Sequence, residues 1–269
     1  MKKHIIIISV LCVIALAVGY WSSPEKQGVA SRGDANSIEE KEPDFLQEGL
    51  VAYYTLDDVS SKVEDSSGIQ NHGKLTGPGF SSVLDRFGGK DKALEFSGEG
   101  GRINIENHPS LQFKDQLTIS VWLLNPGINS RGGLISNGDP SIGTQAYTWG
   151  LCVGPNGDSK HCFSLWNGKG SNKDYFVKLD NWEIPKRESW NHLIAVYGKR
   201  NAVIYLNGEI LSAVRTSEEF IGKNTHPISI GMNDYNSFAG RVDDLRIYNR
   251  ALSQEEVKAL YELEKPKNK

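Results

Sequence analysis

Four aromatic residues in the middle of the chain, Trp149, Trp166, Tyr175 and Trp182, are the side chains best suited to holding a ligand. Asparagine and aspartate side chains lie close to them in the sequence. A flat ring can stack on the face of a sugar while short polar groups bind its hydroxyls, the mixture of apolar walls and polar anchors found in ligand pockets. These residues therefore predict a sugar-binding site. The alternative is that the rings pack inside the domain or brace its loops.

Asp65, Asn71 and Asp243 could supply oxygen ligands to a metal ion. Asp65 and Asn71 lie in a turn-rich segment, and carboxylate, amide and carbonyl oxygens are the ligands that Ca²⁺ prefers. Asp243 alternates with Leu245, so a period of two predicts that it faces the interior, where an unpaired carboxylate is costly. The residues are compatible with one structural calcium ion. The alternative is that both carboxylates accept backbone hydrogen bonds, near one of two arginines, Arg102 or Arg241.

Cys152 and Cys162 are the two cysteines outside the N-terminal segment. The residues between them are rich in turn formers, so the two thiols could face each other across a hairpin. Export of the chain would favour a disulfide between them. The alternatives are two small core residues, or a metal pair together with His161.

No arrangement of residues typical of an enzyme is recognisable. Retaining glycosidases need two carboxyl groups about 5–5.5 Å apart, which on a strand requires residues of one face. Asp243 and Asp244 are adjacent, so they are expected on opposite faces. Nucleophile-elbow, zinc-protease and phosphate-loop motifs are missing from the sequence. We therefore expect a protein that is not an enzyme.

The charge of the chain excludes a second class of function. Thirty Lys and Arg residues against 33 Asp and Glu residues give a formal net charge of -3. A chain this close to neutrality has no broad basic surface for nucleic acid.

Short strands separated by turns must position these residues. Leu117–Leu123 alternates apolar and polar residues, and Asn207-Gly208 is typical of a two-residue hairpin turn. Ser253 and Glu256 form a capping box at the start of one short C-terminal helix. Strands and helices do not alternate, so the pattern predicts an all-β fold, a two-sheet antiparallel sandwich.

The N-terminal part of the chain predicts export. Residues 1–21 combine a basic head with an apolar run, which indicates a signal peptide or an uncleaved anchor. Residues 22–48 are acidic and poor in large apolar residues, as in a flexible linker. The folded domain is predicted at 49–263 and a basic tail at 264–269. We expect a secreted, periplasmic or cell-surface protein that touches a membrane only through such an anchor.

Several segments resemble the laminin-G-like, concanavalin A-like lectin/glucanase jelly-roll domains in sequence and in order. They are the opening strand at 49–57, the Asp-Ser-Ser-Gly loop at 65–73, the Trp-bearing strand at 117–122, the paired strands at 190–193 and 203–208, and the closing strand and helix start at 240–253. The resemblance implies a jelly-roll sandwich, and it favours a structural calcium ion between the Asp65 loop and Asp243.

The same resemblance implies a non-catalytic recognition module that binds a glycan or an extracellular protein. The alternatives are a structural or adhesion component of the surface without a small ligand, and an accessory domain of a carbohydrate-active system. Fold alone does not choose among them, because function lies in sites carried by the fold.

Overall fold

The computed structural model describes residues 43–57, 59–124, 133–138, 148–153, 162–166, 175–180, 189–216, 221–223, 225–233 and 236–267, with the backbone alone at 166, 175–180, 232, 233 and 236. The predicted export segment, most of the predicted linker, and Trp182 lie outside these residues. No helix in these ranges is both long and apolar enough to span a membrane.

Eighteen strands and one α-helix make up the described fold, together with two short 3₁₀ helices at Asp44–Leu46 and Pro109–Leu111. The strands are β1 Leu50–Tyr54, β2 Lys62–Val63, β3 Gly73–Thr76, β4 Phe80–Val83, β5 Ala93–Ser97, β6 Arg102–Ile105, β7 Gln116–Leu124, β8 Gly133–Asn137, β9 Trp149–Cys152, β10 Cys162–Trp166, β11 Tyr175–Asp180, β12 Asn191–Gly198, β13 Asn201–Leu206, β14 Glu209–Arg215, β15 Ile228–Ile230, β16 Met232–Asn233, β17 Asn236–Ser237 and β18 Ala239–Tyr248. The helix α1 spans Gln254–Glu264.

Two antiparallel sheets contain all but two of these strands. The first sheet has the order β14-β13-β12-β7-β18-β5-β4, with β1 also paired to β18, and the second has the order β11-β10-β9-β8-β15-β6-β3-β2. The main apolar core lies between them and takes residues from both sheets, such as Leu193 and Ala195, which alternate along β12, and Ile135 of β8. The predicted all-β sandwich with one short C-terminal helix is confirmed.

The hairpin predicted at Asn207-Gly208 joins β13 to β14. Both residues have positive φ, 51° and 83°, as a type I′ turn requires. The predicted capping box is also present, because Ser253 accepts from the backbone of Glu256 and the Glu256 side chain accepts from the backbone of Ser253.

The helix α1 covers the outer face of the first sheet. Val257 and Leu260 of α1 form a second apolar cluster with Ile194 and Val196 of β12, the residues that alternate with its core-facing positions. Leu46 is fully buried in the same cluster. The compact domain therefore starts before the predicted residue 49.

Arg250 fixes this start of the domain to the helix. Its guanidinium donates to the carbonyls of Phe45 and Glu48 and pairs with Glu256 of α1. The first described residues and the C-terminal helix thus lie on the same face of the sandwich.

Candidate functional site

A row of small residues crosses the outer face of the second sheet. Strand register places Ser229 beside Ser136, Ser136 beside Gly150, and Gly150 beside Ser164. Their neighbours along the strands, among them Ile135 and Leu151, pack in the main core, so the four residues belong to the opposite face. We call Ser229, Ser136, Gly150 and Ser164 the serine row.

The serine row is polar and yet shielded from solvent. Each of its three serines is 3% exposed. The hydroxyl of Ser229 lies 3.4 Å from Oδ1 of Asn104, whose Nδ2 donates to Thr76 at 2.9 Å. Within the described residues, the buried Ser136 hydroxyl finds no hydrogen-bond partner. A buried polar group without a partner costs about 1–3 kcal/mol, so this hydroxyl is a position where a ligand group would be favoured.

Trp149 is a core residue, so the expectation that its ring stacks on a sugar is wrong. The side chain is 1% exposed and packs edge-on against Phe113, with ring centroids 5.7 Å apart. It lies at the inward positions of β9 together with Leu151. For Trp149, the alternative prediction that the ring packs inside the domain is confirmed.

Trp166 and Tyr175 are Cα partners at one end of the β10–β11 ladder. Trp166 follows Ser164 by two residues along β10, and a register irregularity lies between Leu165 and Trp166. The structure describes only the backbone of both residues. Their role in sugar binding, like that of Trp182, stays a prediction.

Cys152 and Cys162 are also Cα partners, at the other end of the β9–β10 pair. This confirms the prediction that they face each other across adjacent strands. Both side chains are half-buried. The disulfide itself stays a prediction.

Asp65 organises the turn that follows β2. Its two carboxylate oxygens accept from the backbone N–H groups of Tyr53, Ser67 and Asn71 and from the Ser67 hydroxyl, at 2.8–2.9 Å. The Asn71 side chain donates to the carbonyl of Val51 at 2.7 Å. This arrangement corresponds to the hydrogen-bonded alternative, in which the carboxylate caps backbone amides.

Asp243 lies on the face of β18 opposite to the predicted one. Asp244 has a φ of 43°, and the pairing with β7 sets two residues, Asp244 and Leu245, against Val121 alone. This bulge shifts the alternation, because an extra residue reverses the faces that follow it. Leu245 therefore faces the main core, whereas Asp243 is buried on the outer face of the first sheet.

The partner of Asp243 is Arg86, rather than the expected Arg102 or Arg241. Nη1 of Arg86 lies 2.5 Å from Oδ2 of Asp243, and Nη2 lies 2.6 Å from Oδ2 of Asp244. The two adjacent aspartates thus meet at one guanidinium, although a regular strand would direct them to opposite faces. No local sequence signal links Arg86 to Asp243, because Arg86 lies in the turn between β4 and β5, far from β18 in sequence.

Glu264 joins this group from the end of α1. Its carboxylate lies 2.8 Å from Nη2 of Arg246 and accepts from Nε1 of Trp122 at 2.8 Å, and its carbonyl accepts from Nε of Arg86. We call Arg86, Asp243, Asp244, Arg246 and Glu264 the Arg86 cluster. The predicted basic tail at 264–269 is therefore wrong at its first residue, which is the buried end of the helix.

Burial changes the protonation of the Arg86 cluster. Desolvation, with the adjacent Asp244, raises the pKa of Asp243 to about 8, although Arg86 opposes the shift. Desolvation also raises the pKa of Glu264 to about 7, against the opposing effect of Arg246. Desolvation and the two arginines lower the pKa of the neighbouring His192, so its imidazole is neutral.

The residues proposed for calcium do not fit a shared ion. Asp65 has four donors at its two oxygens, and Asp243 is paired with Arg86, so neither carboxylate is open to the same cation. In the described ranges, no group of three or more His, Cys, Asp or Glu side chains is placed to hold a metal.

Ser120, His192 and Glu264 do not form a hydrolytic triad. The Ser120 hydroxyl lies 2.7 Å from Nε2 of His192, and Glu264 approaches the same nitrogen at 3.7 Å. A triad requires the acid at the other ring nitrogen. All three side chains are buried.

Solved structures share this fold at low sequence identity. Domain 4 of AbnA, an extracellular arabinanase of Geobacillus stearothermophilus solved with arabinotriose, has a TM-score of 0.60 and 21% identity over 79% of this chain and 98% of that domain. The binding domain of Paraclostridial Mosquitocidal Protein 1 has a TM-score of 0.61 and 22% identity over 80% of this chain.

The ligand-binding domain of botulinum neurotoxin serotype D, solved with N-acetylneuraminic acid, has a TM-score of 0.61 and 15% identity over 81% of this chain. This chain spans 52% of each of the two toxin domains. A family model described as the concanavalin A-like lectin/glucanases superfamily matches residues 97–258. By that match, and in agreement with the sheet order and the resemblance of the strand motifs, the chain belongs to the concanavalin A-like lectin/glucanase superfamily.

Proposed function

We propose that this protein is an exported, non-catalytic module that recognises glycans on the outer face of the second sheet. The observation that carries the proposal is the serine row with the buried, unsatisfied hydroxyl of Ser136. A sugar hydroxyl both donates and accepts, so it can satisfy a serine in either sense. In the remainder of the row, Gly150 adds no side chain of its own.

The register of β10 and β11 supports the same surface. Trp166 and Tyr175 are partners two residues from Ser164, so aromatic and small polar positions are neighbours in one sheet. Rings beside hydroxyls supply the stacking and the hydrogen bonds that sugar recognition needs. The arabinotriose and N-acetylneuraminic acid in two structures of the same fold support a sugar as the ligand class.

Glycan-array screening of the full chain, followed by calorimetry with the best sugar, tests the proposal. We expect Ser136→Ala to weaken binding about tenfold, the loss of one hydrogen bond, without lowering thermal stability. Trp166→Ala and Tyr175→Ala should weaken it further. Phe80→Ala removes an aromatic ring that is 40% exposed on the first sheet and is the matched control.

Two results would contradict the proposal. One is the absence of any glycan bound by the folded chain, which would favour a structural or adhesion component. The other is unchanged affinity in the Ser136 and Trp166 variants, which would move the site to another surface.

A further inference from the structure

We propose that Cys152 and Cys162 are oxidised to a disulfide that joins β9 to β10 on the same face as the serine row and at one end of it. The two residues are direct Cα partners in the antiparallel ladder. Both are half-buried. Gly150 and Ser164, which are also partners of each other, lie two residues further along the same strands.

The register of the two cysteines is compatible with a disulfide. Opposite residues of an antiparallel pair have Cα atoms about 4.5 or 5.5 Å apart, and disulfides join Cα atoms about 4.4–6.8 Å apart. Opposite residues also direct their side chains to the same face.

The chemistry is thiol–disulfide exchange with a disulfide-bearing oxidant, a protein or a small molecule. One cysteine thiolate attacks the oxidant and forms a mixed disulfide, which releases one oxidant thiol. The second cysteine attacks its partner's sulfur in that mixed disulfide and releases the other oxidant thiol. The protein loses two thiol protons and two electrons, and the oxidant gains them.

The bond would fix the register of the hairpin at one end of the serine row. A one-residue slip of β9 on β10 would move Gly150 to the face opposite to Ser164, and a covalent link between adjacent partners prevents it. Reduction should therefore weaken glycan binding, a consequence that rests on the proposed function.

Peptide mapping of the exported full chain tests the bond. The protein is purified without reductant, its thiols are alkylated, and trypsin then cleaves after Arg131, Lys160 and Lys169. We expect residues 132–160 and 161–169 as one linked species, lighter by two hydrogens than the separate peptides. Recovery of both peptides in alkylated form, or linked to Cys12 or to a second copy of the chain, would overturn the proposal.

Thermal unfolding tests whether the disulfide stabilises the domain. A non-thiol reductant should lower the Tm of the wild-type protein by about 5–10 °C and leave the Cys152→Ser/Cys162→Ser variant unchanged. Equal Tm values for the reduced and the oxidised wild-type protein would show that the disulfide does not stabilise the domain, even if peptide mapping detects the bond. Glycan affinity is measured for the reduced and the oxidised protein. A failure to bind any glycan would count against the proposed function alone, because peptide mapping detects the disulfide whether or not the protein binds a glycan.

Discussion

Arg86 joins three separate parts of the fold through one side chain. Its guanidinium binds the carboxylates of Asp243 and Asp244 in β18 and the carbonyl of Glu264 at the end of α1. It also lies over the ring of Trp122, 4.8 Å from the centroid. A planar fork with several N–H groups can make these contacts together, whereas an ammonium group cannot.

Replacing Arg86 should be one of the most destabilising single changes in the domain. We expect Arg86→Ala to lower the free energy of unfolding by about 3–5 kcal/mol, because Asp243, Asp244 and the carbonyl of Glu264 all lose the buried group that donates to them. Arg86→Lys should restore part of the loss. Denaturant unfolding measures both.

Arg241→Ala is the matched control, since Arg241 pairs with Glu95 at the half-exposed surface and such pairs contribute about 0–1 kcal/mol. Similar losses for the Arg86 and Arg241 variants would contradict the central position of Arg86.

At the scale of the elements, the sequence predicted the strands and the helix better than the faces they present. The Asn207-Gly208 turn and the Ser253 capping box depend on local chemistry and were predictable. The face of β18 on which Asp243 lies was not predictable, because one bulged residue at Asp244 reverses the alternation of inward and outward side chains along the strand. The only local signal was the residue type, since aspartate tolerates positive φ better than most residues.

Long-range contacts explain the other differences at this scale. The acidic composition of residues 22–48 predicts a linker that includes Leu46, whereas the burial of Leu46 depends on α1, more than 200 residues later in the chain. Trp149 was assigned to a ligand because it has polar neighbours in sequence, yet strand parity places it with Leu151 in the core.

The capping box should contribute measurably to the docking of α1. We expect Ser253→Ala to lower the free energy of unfolding by about 1 kcal/mol, because the backbone N–H of Glu256 loses its acceptor. Ser81→Ala, at an exposed position of β4, should change it by less than about 0.5 kcal/mol. Urea unfolding compares the two, and equal effects would show that the cap contributes nothing to stability.

For the whole molecule, the Arg86 cluster predicts lower stability at higher pH. Asp243 and Glu264 have pKa values of about 8 and 7 in the folded protein, against ordinary values of 3.8 and 4.5. The folded state therefore binds more protons than the unfolded state between these values, so stability falls as pH rises through about 7 to 8.

His192 has the opposite effect on stability. Its pKa is lowered in the folded protein, so the unfolded chain takes up the proton first as the pH falls below the ordinary value of 6.5, and stability decreases there. The comparison is therefore made at about pH 7 and about pH 8.5, where the unfolded-state His192 is mostly deprotonated and contributes little. We expect the wild type to be less stable at the higher pH and Glu264→Gln to show a smaller difference. Constant or rising stability across this range would refute the assignment.

The contacts of Asp65 and Asp243 predict that calcium does not stabilise the domain. Thermal unfolding of the full chain in excess Ca²⁺ and in EDTA should give the same Tm, because the donors and Arg86 already occupy the carboxylates. A folded-state ligand at about 100 times its dissociation constant would add about 2.7 kcal/mol. A Tm higher by several degrees in Ca²⁺ than in EDTA would contradict this prediction and support the structural calcium ion that the family resemblance implies.

The contact of Arg250 with Phe45, Glu48 and α1 also determines how the domain would carry a mechanical load. A pull on the chain at residue 43 reaches Arg250 and the helix first, on the outer face of the first sheet. The serine row lies on the other side of the sandwich, outside that path. A load applied at residue 43 would therefore act first on α1 and the outer face of the first sheet, on the side of the domain away from the serine row.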